Sequence, residues 1–237
     1  MMETMVMDIP RAYTAFAEWA ACTGFFLALG DRKKSKKNLL FCLALLIVLT
    51  IVFVLSVAVG FVLWIPCLAA GVLMMFGFLR LTLDIERCGF VFLCAKSFLA
   101  ADFAASFEWQ FHVHLFYESD AVYGPVQILT ALLIYSLVFL TLYRVEQWRN
   151  IEENLGNISW KDGTFAVLIA LISFAVSNLN FLIAPAPYEA DSQNYIFMIR
   201  TLVDRCGIAG MFIQQSRLQE MLPAREWDNC LVWLNSQ

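Results

Sequence analysis

Charge is what this sequence has least of. Only 15% of its 237 residues are Asp, Glu, Lys or Arg, while 61% are hydrophobic, and the mean hydropathy is +0.70. Soluble domains carry about 25% charged residues, so a water-soluble globule is excluded. There is no cationic excess either: 16 Lys and Arg face 20 Asp and Glu, a net charge of -4. That removes the basic field on which nucleic-acid binding depends. No pair of the seven cysteines forms a CxxC, and Cys22, Cys42, Cys94 and Cys206 sit in apolar runs, where thiols behave as small hydrophobes. Neither a disulfide framework nor a zinc site is expected. GxSxG, HExxH and P-loop patterns are lacking, and no internal repeat is visible.

Long apolar runs are what the sequence does have. A spanning helix needs about 20 mostly apolar residues, because roughly 30 Å of hydrocarbon is crossed at about 1.5 Å per residue. Seven stretches meet this: Ala12 to Leu29, Asn38 to Gly60, Ile65 to Leu83, Cys88 to Phe107, Val122 to Tyr143, Thr164 to Ile183 and Tyr195 to Ile213. Pro10, Pro66 and Pro125 fall at or near the starts, where a missing N–H costs little, and Pro185 and Pro187 mark a loop. The expected fold is an all-α, polytopic transmembrane bundle of about seven spans.

Cationic residues are retained on the cytoplasmic side, so their distribution sets orientation. Arg32, Lys33, Lys34, Lys36, Lys37, Arg80, Arg87, Arg144, Arg149, Lys161, Arg217 and Arg225 all fall on one side of the predicted bundle. Arg11 stands alone on the other, beside loops carrying Glu108, Glu118, Asp120, Glu189 and Asp191. The N-terminus is therefore expected outside and the C-terminus in the cytoplasm. No cationic region precedes the first apolar run, so it reads as a retained helix rather than a signal peptide. The inner loops are too short for a folded catalytic domain, which takes about 50 residues or more. Residues 1–216 read as a multi-pass domain and 217–237 as the start of a cytoplasmic helix or linker.

Charges inside these spans carry the functional reading, because each costs at least ~2.5 kcal/mol near the bilayer centre and needs a partner or water. Arg200 and Asp204 are four apart and share a helix face. Arg205 lies roughly 15 Å in from Tyr195 at the helical rise, too deep to snorkel easily. Gly207 and Gly210 follow and permit close helix contact. Lys96 and Asp102 are about 120° apart on one helix and need partners from elsewhere. Glu18 is an acidic candidate for Lys96 or Arg205, and Arg200 a cationic one for Asp102. Ser97, Ala101 and Ala105 form a small-residue ridge. Asp102 and Trp109 share a face that would floor an outward-opening pocket, with Trp109 and Gln110 at its rim. Ser173, Ser177, Asn178 and Asn180 bring further polar groups. These charges and amides read first as interhelical packing bonds and second, for a subset of them, as the lining of a ligand pocket; the two readings are not exclusive. His112 and His114 fall just beyond the fourth span and read as interfacial residues; neither is assigned to catalysis or metal.

Three segments, MDIPRAYTAFAEWAAC, LAADFAASFEWQFHVHLF and SNLNFLIAPAPYEADSQNYIFMIRTLVDRCGIAGMFIQQSRLQEM, together resemble the membrane-sensor half of bacterial GHKL-domain sensor histidine kinases. These are two-component receptors of a Firmicutes-type group related to peptide-sensing quorum receptors. The resemblance implies a homodimer in the bacterial cytoplasmic membrane whose last helix leads to a phosphoacceptor helix and an ATP-binding domain. The chain ends at LPAREWDNCLVWLNSQ, before either. Kinase activity, its ATP and magnesium, and the response regulator it would phosphorylate are therefore expected to belong to a part these residues do not include. Pro223 interrupts the cytoplasmic helix that the resemblance implies. Glu18, Lys96, Asp102, Trp109, Gln110, Asn178, Asn180, Arg200, Asp204 and Arg205 are the candidate ligand or signalling residues, with a peptide or small molecule as the signal. Three other readings stay open: a small transporter or permease subunit using the buried charges as a substrate or proton path, an intramembrane enzyme, and a short regulatory partner of a complete kinase. An odd number of spans and the lack of a repeat weigh against the transporter.

Overall fold

The computed structural model describes residues 9–29, 36–58, 61–83, 85–116, 124–148, 155, 158–183, 202–218 and 220. Six long helices have defined ends: α1 (Arg11–Leu29), α2 (Lys36–Ala58), α3 (Phe61–Thr82), α4 (Arg87–Phe116), α5 (Pro125–Trp148) and α6 (Trp160–Ile183). A seventh helical stretch, α7, covers 202–218. All regular structure among the described residues is helical. Of these helices α1, α4, α5 and α6 are long and apolar enough to cross a membrane, while α2 and α3 contribute the shorter apolar stretches Leu40–Leu55 and Pro66–Thr82.

The helix starts follow local chemistry. The carbonyl of Pro10 accepts from the N–H groups of Tyr13 and Thr14 at 2.9 and 3.3 Å, closing the first turn of α1. Pro125 opens α5 in the position that needs no donor. At α6 the Ser159 N–H donates to Asp162 Oδ2 at 3.1 Å and the Asp162 N–H donates weakly to Ser159 Oγ at 3.4 Å, a reciprocal capping box. The hydroxyls of Thr50, Thr82, Thr130, Thr141 and Thr164 each donate to the carbonyl four residues back, at 2.7 to 2.9 Å. A hydroxyl satisfied this way can face hydrocarbon.

Two helices form the interior. α4 packs on α1, α3, α5 and α6, and α1 packs on α2, α3, α4 and α5. The predicted small-residue ridge is buried, with Ser97, Ala101 and Ala105 at the α4 interfaces. Gly207 permits the expected close helix contact: a Cβ there would run into Ser173 Oγ and lie 3.1 Å from Leu99 Cδ2, so the α7 backbone rests directly against side chains of α6 and α4. Gly210 makes only ordinary contact, with Ile169 at 3.9 Å. Across the bundle, Trp19 Nε1 donates to the Cys42 carbonyl at 2.9 Å and Tyr135 Oη to the Tyr13 carbonyl at 3.2 Å. The outside is apolar: Leu129, Leu133, Leu137 and Leu140 of α5 and Phe165, Leu168, Leu171 and Ile172 of α6 are all exposed. An apolar exterior on helices of this length is compatible with a membrane protein and with no ordinary soluble surface.

Two sequence expectations change. α4 does not stop at Phe107 but continues to Phe116, because Glu108, Trp109 and His112 are buried rather than facing water. A hydropathy window treats these as the end of a span, whereas tertiary contacts carry the helix on for more than two further turns. Pro66 lies inside α3 rather than near its start.

Candidate functional site

Three polar groups are arranged along α4. The first lies about 14 Å from its N-terminal end at the helical rise. Here Lys96 Nζ donates to Gln215 Oε1 of α7 at 2.5 Å, forms an ion pair with the Glu146 carboxylate of α5, and sits 4.6 Å from the centroid of the Phe212 ring. Lys96, Glu146 and Gln215 are 4%, 1% and 1% exposed, so this is an ion pair held away from solvent. Nearby, Gln214 Nε2 donates to the Asp162 carbonyl at 2.8 Å, adding a tie from α7 to the start of α6. One cation therefore links three helices, and removing any member leaves the others desolvated.

The partner of Lys96 is thus Glu146, not Glu18. The expected fifth span stops at Tyr143, short of Glu146, but α5 runs on through Trp148 and carries the buried carboxylate into the bundle. Arg205 does not meet Glu18 either. It is exposed on α7, with its guanidinium carbon 5.2 Å from the centroid of the Phe107 ring, a cation–π contact rather than an ion pair. Asp204 is fully buried. Its expected pairing with Arg200, and that of Arg200 with Asp102, lie outside the described residues, as do the side chains of Asn178 and Asn180.

The second group is central. Glu18 of α1 and Asp102 of α4 line one cavity together with Arg11 and Thr14, closed by Phe53, Leu68, Phe98 and Phe174. Its volume is about 20 Å³. Glu18 is 2% exposed, and its Oε2 has no hydrogen-bond partner. Gly71 of α3 makes room for it, since a Cβ there would lie 3.0 Å from Glu18 Oε2 and from Phe53 Cε2.

The third group lies near the C-terminal end of α4. His112 Nδ1 is 3.5 Å from Glu108 Oε1, one helical turn away, and both side chains are buried. Trp109 stacks on the His112 ring with centroids 4.7 Å apart, while Tyr13 and Phe116 approach it at 5.8 and 5.3 Å. The expected outward-opening pocket rimmed by Trp109 and Gln110 is corrected by this packing. Trp109 is buried against Tyr13 and His112, Gln110 is half-buried, and the cavity that Asp102 does line includes neither. The i,i+4 spacing of Glu108 and His112 was the available signal for this group. A hydropathy window hides that signal, because it ends the span at Phe107 and leaves both residues beyond the helix.

No family model, curated protein or solved structure matches the chain. The arrangement itself offers a polar column in one central helix, with a multi-helix ion pair at one end, a carboxyl-lined cavity in the middle and an aromatic-enclosed His–Glu pair at the other.

Proposed function

We propose that this chain is a membrane-embedded sensor module that detects an extracytoplasmic or membrane-borne signal and relays it through α7. The observation that carries the reading is the three-helix link at Lys96, which joins α7 to α4 and α5. In this reading the link has two states, satisfied and broken, so a small shift of α4 or α5 changes what α7 is bound to. The His112–Glu108 group is where a signal would act, since it occupies the opposite end of the same helix. A peptide or small molecule would shift the bundle only by its differential affinity for the two arrangements.

In this reading the bundle has seven spans, the N-terminus lies outside, and the cation-rich connections lie in the bacterial cytoplasm. The resemblance to GHKL sensor kinases adds a homodimer and a downstream kinase part, with ATP, magnesium and a response regulator belonging to that part. The test is a fusion of this chain to histidine kinase domains, assayed for autophosphorylation in membrane vesicles. Lys96→Met is expected to change basal phosphorylation at least several-fold, while Leu137→Ala on the exposed face leaves it unchanged. If a correctly inserted Lys96→Met fusion phosphorylates at the wild-type rate, the relay role is wrong.

The Glu18–Asp102 cavity favours a second reading, a small transporter with an acidic transit site. Charge-dependent uptake into proteoliposomes, abolished by Asp102→Asn, would support it over the sensor.

A further inference from the structure

Glu18 presents a problem that the relay does not use. Its side chain is 2% exposed, on a helix apolar enough to cross a membrane, and its Oε2 has no hydrogen-bond partner although it borders a cavity. A bare carboxylate in that position is among the costliest arrangements a membrane protein can hold. Asp102 borders the same cavity and adds a second negative charge. Among the described residues, Arg11 is the cation on this cavity.

Two physical remedies fit the space. A cavity of about 20 Å³ holds one water molecule, for which the lower limit is roughly 10–15 Å³. It is too small for a hydrated metal ion, and no group of three or more His, Cys, Asp or Glu that could hold a metal occurs among the described residues. A proton needs no space. Added to Glu18 Oε2, it turns an unsatisfied acceptor into a hydroxyl that donates to the water or to Asp102, and it leaves one carboxylate to face Arg11. Two carboxyls in one enclosed site take up protons as a pair.

We propose that the Glu18–Asp102 cavity is a proton-binding site in which one water and one exchangeable proton are shared between the two carboxyls. The proton comes from solvent and returns to it, with no other bond made or broken. Arg11 is the charged group that lines the cavity beside the two carboxyls, and the thiol of Cys22 in α1 interacts with Glu18 and with Cys42 of α2 and Cys94 of α4; Lys96, Glu108 and His112 of α4 and Tyr135 and Glu146 of α5 are buried on the packed helices but do not line the cavity. α3 brings the backbone of Gly71 against Glu18, and α6 brings the Phe174 ring to the cavity. The site is independent of the relay reading, because it needs neither a ligand nor a kinase.

The test is infrared spectroscopy of the full chain in lipid nanodiscs, titrated with pH and read in the C=O stretching region of protonated carboxyls. A band present at neutral pH is expected, lost in Glu18→Gln and moved in its titration midpoint by about one pH unit or more in Asp102→Asn. Exchange into heavy-oxygen water should leave the carboxyl band but shift the O–H band of the enclosed water. Helix content by circular dichroism controls for folding. If Glu18→Gln does not fold, the Asp102→Asn midpoint decides alone. A wild-type spectrum without a protonated carboxyl at neutral pH, a spectrum identical in both variants, or a band that responds to sodium rather than to pH overturns the proposal.

Discussion

α4 and α5 are both apolar enough to span a membrane, yet two thirds of the spanning window of α4 is buried in the bundle and only 28% of that of α5. The difference follows their polar content. α4 carries Lys96, Asp102, Glu108 and His112 along its length, whereas α5 presents Leu129, Leu133, Leu137 and Leu140 to the outside and brings its buried carboxylate, Glu146, only near its end. In water the apolar helix would be central and the charged one peripheral. In hydrocarbon the order reverses, because exposed Leu costs nothing against lipid tails while an exposed charge costs several kcal/mol. The observed order, with the charged helix central, is the one a bilayer favours.

Substitutions that exchange the character of the two helices test this contrast. The largest effect is expected at Lys96. Lys96→Met strands the Glu146 carboxylate and should cost about 3–5 kcal/mol in reversible unfolding of the reconstituted chain. Leucine truncations come next and should separate the helices cleanly. Leu99→Ala in α4, where the side chain is fully buried, is expected to cost about 2–5 kcal/mol. Glycine substitutions report helix proximity. Gly207→Ala drives a methyl toward Ser173 Oγ and should destabilise by about 1–3 kcal/mol. At Gly77 nothing lies within 4 Å of the added methyl, so Gly77→Ala should instead stabilise by about 0.5–1 kcal/mol through helix propensity. The smallest change is Leu137→Ala on the exposed face of α5, expected within about 0.5 kcal/mol. Equal costs at Leu99 and Leu137 would mean that α4 is not central.

The helices were legible because hydrophobic length is a one-dimensional property. α1 begins one residue before its expected start and ends at the expected Leu29, and α6 ends at the expected Ile183. The need of Lys96 for a partner on another helix was legible too, since burying its charge is unaffordable alone. The identity of that partner was not. Glu146 and Glu18 are both carboxylates that a folded bundle can bring to α4, and only the packing of α5 and α7 against it decides between them. The C-terminal extension of α4 is not legible for a related reason. Glu108 and His112 look solvated when read by hydropathy, and become interior residues only in the folded bundle, where Tyr13 and Trp109 pack on the His112 ring.

If the polar side chains of α4 hold the surrounding helices, α7 among them, as one coupled unit, a double-mutant cycle between Lys96→Met and Gln215→Leu, measured by reversible unfolding in lipid, reads that coupling as a free energy. A coupling energy of about 1 kcal/mol or more between these positions in α4 and α7 is the predicted result. Additivity within about 0.5 kcal/mol would mean that α7 has no energetic tie to α4 at Lys96 and that the helices are not coupled there.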